Sequence, residues 1–457
     1  MIDENKHSSQ GFIKRISRWF SKSGISSNTS AFVIPRSSHN ISRENISENA
    51  LKVLYRLHKA GYQACLVGGG VRDLILGLEP KDFDIATDAS PEEVKSLFRN
   101  SRLIGRRFRL AHVFFGRDII EVATFRGKGE GEEDERKESD QGRILRDNVY
   151  GSIEEDAWRR DFTINALYYD IKDYSVLDYM NGMQDIEQGV LRIIGDPELR
   201  YREDPVRMLR VARFAVKLGF KIHEETEKPL FELAPLLQDI SPSRLFDESI
   251  KLFLSGQALQ TFEALRHYGL FGHLYPMTEA ELSREEQGFP VMLVAQAMKN
   301  TDERLQQGKS VTPAFIYAAL LWEPIRALSQ RINEEEDLPF FPAMQKAIAQ
   351  ILSQQSRHTS IPKRFSIFMR EVWQLQGRFD FMSGMRPYKL LSHPRFRAAY
   401  DFMLLRVACS EASDEMADWW TRFQDASSSE KKKMTRATSR GGKQRPGKQN
   451  TPEQESE

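Results

Sequence analysis

A strand, a glycine turn, a helix and then two closely spaced acids constrain the fold of this chain more than any other feature. Ala64–Val67 is an apolar run that predicts a short strand, and the glycines at 68–70 predict a turn into a helix over 71–76. Asp82 and Asp84 lie two positions apart in a second predicted strand. Because side chains alternate between the faces of a strand, both carboxylates project from one face. This order predicts an α/β unit with paired acids near a glycine turn.

The paired carboxylates predict a metal site that faces a bound phosphate. Two ionised carboxylates held this close repel each other unless a cation lies between them, and Mg²⁺ prefers such oxygen ligands. Glu121 lies in a further predicted strand over 119–125 and completes the cluster if the two strands are neighbours. A glycine turn lets the backbone approach a phosphate, and Arg72 in the next turn can bond to it. By itself, Asp-x-Asp fits a solvated strand face or an arginine-paired acid, but the combination favours two-metal phosphoryl or nucleotidyl transfer.

Charge is unevenly distributed along the chain. The net charge is +1 over 457 residues, but residues 431–449 contain eight Lys and Arg and no acid, which leaves −7 for the remainder. This tail has almost no large apolar residue, so it predicts disorder and salt-sensitive attraction to phosphates without base recognition.

Composition excludes other classes of protein. Only Cys65 and Cys409 are present, which excludes a disulfide framework, and no run of about 18 apolar residues predicts a membrane-spanning helix. A cytoplasmic protein fits this composition.

Four motifs, in this order, resemble the polymerase-beta nucleotidyltransferase superfamily. The resemblance is to the branch that holds CCA-adding enzymes and bacterial poly(A) polymerases. The motifs are LVGGGVRDLILG at 66–77 with the Asp-Phe-Asp that follows, RRDFTINAL at 159–167, DYMNG at 178–182 and EDPVRMLRVARF at 203–214. The resemblance implies an α+β fold, in which a polymerase-beta-like head with a mixed sheet and flanking helices precedes an all-helical neck and body and a disordered basic tail.

Domain boundaries follow from the composition along the chain. Short strands and helices alternate from residue 46 to about 150, including a hairpin of strands 112–115 and 119–125, and the chain is then mostly helical to about 425. The predicted organisation is a mobile basic arm (1–45), a nucleotidyltransferase head (46–180), a nucleotide-reading neck (181–245), an RNA-binding helical body (246–425) and a disordered basic tail (426–457).

The resemblance also implies roles for residues at matching positions. Asp82 and Asp84 would bind two Mg²⁺ ions, and either Asp161 or Glu121 would be the third acid of the active site. Contacts to the incoming ATP would come from Gly69, Arg72, Arg160 and a helix that carries Asp204, Arg207, Arg210 and Arg213. These last four residues step by three, so they wind round about half of that helix. A buried helix whose arginines form internal salt bridges is the alternative interpretation of this stretch.

Two activities in that branch fit the motifs. One is template-independent addition of AMP from ATP to RNA 3′ ends with release of pyrophosphate, in RNA processing and decay; the other is addition of CCA to tRNA. The stretch LIGRRFRLAHV at 103–113 resembles the one that marks bacterial poly(A) polymerases, and that resemblance continues at 361–364 and 393–400. We therefore predict a polynucleotide adenylyltransferase, with RNA and ATP as partners. A catalytically silent RNA-binding regulator is a third interpretation, which the intact acids and arginines disfavour, and the tail could also dock RNA-decay or RNA-chaperone proteins.

Overall fold

The computed structural model describes residues 31–105, 109–127, 136–138, 144–147, 149–286, 289–290 and 292–441. The predicted arm before residue 31 and the predicted tail after residue 441 lie outside these residues. The chain divides into two compact units, Met1–Asp239 and Ile240–Glu457. Residues 181–239 of the predicted neck therefore belong to the same unit as the head.

An eight-stranded mixed sheet forms the centre of the first unit. Its strands are β1 (Phe32–Ile34), β2 (Ala64–Val67), β3 (Asp84–Thr87), β4 (Ser101–Ile104), β5 (Leu110–Phe115), β6 (Asp118–Thr124), β9 (Leu167–Asp170) and β10 (Val176–Asp178); β7 (Arg136–Glu138) and β8 (Ile144–Asp147) pair separately. Across the sheet the order is β1-β10-β9-β2-β3-β6-β5-β4. Within it β3 and β6 pair in parallel and the other neighbours are antiparallel. The predicted mixed sheet is confirmed.

Local sequence explains where the first helices begin and end. The side chain of Ser47 caps the first helix, whose apolar positions Ala50, Val53 and Leu54 are buried. The second helix begins after Gly68, which has a φ of 73° that favours glycine. Helices of the first unit are α1 (Glu48–Lys59), α2 (Gly69–Ile75), α3 (Pro91–Leu97), α4 (Ile153–Arg159), α5 (Gly182–Gln188), α6 (Pro197–Glu203), α7 (Val206–Leu218) and α8 (Glu224–Leu233), with a parallel pair β11 (Val190–Leu191) and β12 (Lys221–Ile222) among them.

The described part of the second unit is helical except for the two-residue strands β13 (Glu285–Glu286) and β14 (Phe289–Pro290). Two buried indoles fix its core, because Trp373 donates to the carbonyl of Ala318 at 3.1 Å and Trp420 to that of Phe379 at 2.9 Å. The helices are α9 (Pro242–Phe253), α10 (Ala258–His267), α11 (Leu270–Leu274), α12 (Pro276–Leu282), α13 (Leu293–Gln306), α14 (Pro313–Leu320), α15 (Trp322–Glu336), α16 (Phe340–Gln355), α17 (Lys363–Gln376), α18 (Arg386–Leu391), α19 (Phe396–Ala408), α20 (Asp414–Asp425) and α21 (Ser428–Gly441). The prediction of a helical body is confirmed.

Two segments differ from the predicted boundaries. Strand β1 falls within the range 1–45 predicted as a mobile arm, yet it pairs with β10 at the edge of the sheet. Helix α21 extends into the range predicted as tail and ends at Gly441. Among the described helices, none has the length and apolar character needed to cross a membrane.

Candidate active site

The carboxylates of Asp82, Asp84 and Glu121 come together on one face of the sheet. Asp84 begins β3, Asp82 precedes it by two residues, and the register of the parallel pair β3–β6 places Glu121 beside Asp84. Burial among the surrounding protein atoms raises the pKa of Asp84 to about 6, and the charges of Glu121 and Asp82 add to this effect against the opposing charge of Arg160. Asp84 is still exposed to solvent. The cluster is therefore a site of unbalanced negative charge that a cation can reach.

His112 joins this acid cluster from the neighbouring strand. It lies opposite Glu121 in the β5–β6 hairpin, and its Nε2 is 3.1 Å from Oε1 of Glu121. Sequence reasoning did not single out this histidine. The signal that could have found it is the hairpin itself, because pairing the two predicted strands across their turn sets a polar residue of one against Glu121 of the other.

The carboxylates suit a metal ion that is bound jointly by the protein and by phosphate oxygens of a substrate. Among the described residues, no group of three or more His, Cys, Asp and Glu side chains converges tightly enough to hold a metal ion alone. Mg²⁺ in nucleotide enzymes is usually held by one or two carboxylates together with phosphate oxygens of the substrate. Burial, with a further contribution from Glu121 and Asp82, raises the pKa of Asp84, and a bound cation would favour the charged form of this carboxylate again.

Arg160 lies against the glycine turn and is fixed there by a buried network. Its Nε donates to the hydroxyl of Tyr168 at 2.8 Å and its Nη2 to Oδ2 of Asp156 at 3.0 Å, while the Tyr168 hydroxyl donates to the same Asp156 oxygen at 2.6 Å. Its Nη1 is 3.4 Å from the position that a Cβ on Gly68 would take. Burial opposes the charge of Arg160, but Tyr168 and Asp156 outweigh it and hold the pKa of the guanidinium above its usual value. A permanent positive charge therefore borders the turn.

Removing the Tyr168 hydroxyl tests this network. Tyr168→Phe should lower the free energy of unfolding by about 1–3 kcal/mol, because two buried hydrogen bonds to charged groups are lost. Tyr169→Phe is the matched control: Tyr169 is equally buried, and its hydroxyl has no hydrogen-bond partner among the described residues. Chemical denaturation of both variants measures the difference. Equal losses in the two variants would contradict the network.

Asp161 is engaged by an arginine of α7. Its Oδ2 accepts from Nε of Arg210 at 2.8 Å, and its Oδ1 accepts from the Asn165 amide at 3.1 Å and the backbone N–H of Phe162 at 2.9 Å. Burial would raise the pKa of Asp161, but Arg210 and these hydrogen bonds lower it to about 2. The structure thus places Glu121 beside Asp84 and uses Asp161 to hold an arginine of α7.

Arg72 lies beneath the glycine turn and not at its surface. Only 1% of the residue is exposed; its guanidinium donates to Asp73 through Nε at 2.8 Å and to the side-chain oxygen of Asn165 through Nη1 at 2.6 Å. Its Nη2 is 3.4 Å from where a Cβ on Gly69 would lie. A larger residue at that position would therefore press on the arginine. In this structure Arg72 connects α2 to the RRDFTINAL motif.

The charged residues predicted to read the base have mixed surroundings. Asp204 ends α6, and Arg207 donates to the carbonyl of Arg200 at 2.6 Å and to Glu203 at 2.8 Å. Arg213 stacks over the ring of Phe214, with 4.6 Å between the guanidinium carbon and the ring centroid. Arg207 and Arg210 thus form internal ion pairs, as in the alternative interpretation of this helix.

A mixed sheet that carries Asp82, Asp84 and Glu121 beside a glycine turn and a fixed arginine defines a nucleotidyltransferase. Comparison with known families supports this class. Residues 64–192 match the model of the poly A polymerase head domain, residues 219–282 the probable RNA and SrmB-binding site of polymerase A, and residues 336–455 the polymerase A arginine-rich C-terminus.

Individual relatives show which family of nucleotidyltransferases the chain resembles. The chain is 51% identical over 407 residues to poly(A) polymerase I of Salmonella typhi, which covers 88% of each chain. A CCA-adding enzyme of Leuconostoc mesenteroides is 43% identical over 219 residues, 48% of this chain and 53% of that protein. A crystal structure of the Bacillus stearothermophilus CCA-adding enzyme in complex with CTP superposes with a TM-score of 0.53 at 25% identity, over 82% of this chain and 80% of that one. The chain therefore belongs to the poly(A) polymerase I family, and CCA-adding enzymes are more distant relatives.

Proposed function

We propose that Asp82, Asp84 and Glu121 form the centre at which this polynucleotide adenylyltransferase joins AMP from ATP to an RNA 3′ end. The observation that carries the proposal is the β3–β6 register, which sets Glu121 beside Asp84 and leaves the cluster with uncompensated negative charge. In the reaction the RNA 3′-hydroxyl gives up its proton to solvent and its oxygen forms a bond to the α-phosphorus, while the bond from that phosphorus to the β-phosphate oxygen breaks and pyrophosphate leaves.

Asp82 and Asp84 are the proposed ligands of two Mg²⁺ ions. When bound, the ions supply Lewis-acid chemistry: they acidify the 3′-hydroxyl and neutralise charge on the α-phosphate and the leaving pyrophosphate. Glu121 is the proposed third acid, because it and not Asp161 lies beside Asp84. The role of these side chains is to position the reacting groups and to balance charge, which is most of what a phosphoryl-transfer enzyme contributes.

The triphosphate is proposed to lie against the glycine turn. The turn at 68–70 lets the backbone approach closely, and Gly69 has no side chain to obstruct it. Arg160 supplies a fixed positive charge there, since Asp156 and Tyr168 hold its guanidinium in place. Arg72 supports the turn from beneath.

Recognition of the base is proposed for the surface of α7. Arg210, held by Asp161, and Arg213 are the two arginines of this helix that stack on Phe214 with partly exposed side chains. Asp204 and Arg207 complete the predicted set, with Arg207 positioned through Glu203. The basic segment 431–449 is proposed to attract RNA and to offer a docking site for RNA-decay or RNA-chaperone proteins. A cytoplasmic location remains a prediction from the sequence.

Extension of a labelled RNA with each nucleoside triphosphate in turn tests the activity. We expect long A tracts with ATP and divalent cation and little extension with CTP, GTP or UTP. A short CCA end on tRNA that lacks it would identify a CCA-adding enzyme instead, and RNA retention without extension would identify a silent regulator. Gel electrophoresis separates the three outcomes.

A further inference from the structure

A pocket lined in part by aromatic side chains lies next to Trp158 of α4 in the first unit. Its volume is about 330 Å³, and the residues that line it include Trp158, Tyr179, Asn181, Arg192 and Glu225. Trp158 is 43% exposed, although it stands only two residues before Arg160. The proposed reaction makes no use of these side chains.

The chemistry of the pocket fits a nucleobase. An exposed indole offers a face on which any base can stack, and such stacking is the usual means of holding single strands. Burial raises the pKa of Tyr179 to about 12, so its hydroxyl stays a neutral donor near neutral pH. Asn181 is exposed at the rim and its side chain makes no capping bond to its helix, which leaves an amide that can both donate and accept.

The charges of the pocket favour a base over a phosphate. Asp185 engages Nε and Nη2 of Arg192 at 3.2–3.3 Å, while Nη1 of Arg192 has no acceptor among the described residues. The Arg192 side chain, 35% exposed, is therefore held by Asp185 while it lines the pocket. Glu225, whose side chain is 81% exposed, also lines the pocket. An anionic group would be attracted by one and repelled by the other, whereas a base edge carries both acceptors and donors.

The distance from the catalytic acids identifies where this base comes from. Tyr168 pairs with Val67, which pairs with Asp84, so two strand spacings of about 4.8 Å separate the Tyr168 backbone from that of Asp84. The ring of Tyr179 meets the ring of Tyr168 edge-on with 6.2 Å between centroids. The pocket thus begins roughly 10–15 Å from Asp84, a span that a few nucleotides of single strand cover.

We propose that this pocket binds a base of the RNA substrate a few nucleotides back from the 3′ end that is being extended. The inference rests on the proposed function, since it places the 3′ end at Asp84. Two residues that line the pocket, the exposed Glu225 and the buried Thr226, also fall within the range 219–282 that matches the probable RNA and SrmB-binding site.

Replacement of Trp158 in the full chain tests the proposal. Trp158→Ala should weaken binding of single-stranded RNA by about 5- to 100-fold, the effect of losing one base stack, and leave KM for ATP within about twofold. Trp158→Phe should restore most of the affinity because it retains an aromatic face. Tyr55→Ala, which removes an exposed aromatic residue of α1 outside the pocket, is the control and should bind RNA normally. Equal weakening in the control would overturn the assignment.

Primer length separates a strand from a free nucleotide as the source of the base. Dinucleotide primers cannot reach the pocket, so wild type and Trp158→Ala should extend them at the same rate and diverge only on longer primers. A loss that is the same at every length, or competition by free AMP that depends on Trp158, would overturn the RNA assignment. Continued AMP addition to the dinucleotide in either case shows that the proposed activity stands independently.

Crosslinking of RNA to the wild-type protein tests the proposal without a variant, so the result does not depend on whether Trp158→Ala folds. RNA with one photoreactive base, moved stepwise back from the 3′ end, should crosslink to the peptide containing Trp158 or Tyr179 only at positions a few nucleotides from the end. Crosslinks to other peptides at all of these positions would overturn the proposal.

Discussion

Replacing Asp84 by asparagine should reduce AMP incorporation by about 10³-fold or more while the protein remains folded and at least as stable as the wild type. The loss is large because an amide cannot provide the negative charge that a Mg²⁺ ligand needs next to a triphosphate. Stability should not fall, because burial and then the charges of Glu121 and Asp82 disfavour the ionised carboxylate in the absence of metal and raise its pKa to about 6. The proposed catalytic role of this residue thus works against the stability of the metal-free fold.

Thermal unfolding with and without Mg²⁺ separates this outcome from misfolding. Bound metal stabilises only the folded state, so Mg²⁺ should raise the melting temperature of the wild type more than that of Asp84→Asn. The matched control is Asp118→Asn on the same strand as Glu121. That side chain is exposed and accepts one hydrogen bond from Asn49, which an amide oxygen can also accept, so activity should be near normal. Near-normal RNA extension by purified Asp84→Asn would show that the metal site has been assigned wrongly.

Glu121→Gln distinguishes the two candidates for the third acid. The substitution keeps the shape of the side chain and the contact with His112 but removes the charge beside Asp84. If Glu121 serves the active site, kcat should fall with little change in the KM for ATP. An unchanged kcat would instead favour Asp161 as the third acid of the active site.

Local sequence was sufficient to predict the elements that carry the acids. Alternation and a turn at 116–118 predict the β5–β6 hairpin, which the structure confirms with Leu110–Phe115 and Asp118–Thr124. The parallel pairing of β3 with β6 could not be predicted in the same way, because no turn joins these strands: α3, β4 and β5 lie between them, and their packing sets the register. The sequence therefore predicted the strand of Asp84 and the strand of Glu121, but not that the two strands are neighbours.

Partners distant in sequence explain the differences among the arginines. Arg72 stands where a phosphate ligand would, but its acceptor Asn165 is 93 residues further along the chain and holds it inside. Periodicity placed Arg207 and Arg210 on one helix and could not tell which would be paired, since this depends on Glu203 and Asp161. Strand β1 was not predicted for another reason. It has only three residues within a polar segment, and it is a strand because it pairs with β10, which is distant in sequence.

Breaking the Asp161–Arg210 pair should damage both stability and the use of ATP. Asp161 is 15% exposed and Arg210 32%, so the pair is only partly screened by water. At neutral pH, Asp161→Asn should lower the free energy of unfolding by about 2 kcal/mol, the value of a pKa lowered by roughly two units. Arg210 would lose its anchor on α7, and a misplacement of about 1 Å can reduce catalysis by about 10²-fold. We expect the loss mainly as a higher KM for ATP, since the contacts of Asp161 are with Phe162, Asn165 and Arg210 and the proposed metal ligands are Asp82 and Asp84.

The pH dependence of stability gives this pair a signature of its own. A carboxyl whose folded-state pKa is depressed contributes its full stability above the unfolded pKa of about 3.9, and loses it as pH falls towards the folded value of about 2. Wild type should therefore lose more stability than Asp161→Asn between pH 4 and pH 2.

Arg210→Lys, which keeps the charge but loses the two-nitrogen contact, should reproduce part of the loss. Arg202→Lys is the matched control, because Arg202 makes a similar two-nitrogen contact to Glu198 at the surface, where about 0.5 kcal/mol is the expected change. If Arg210→Lys and Arg202→Lys proved equally mild, with identical KM for ATP, the pair would be a surface contact and Asp161 would have to act on the substrate directly.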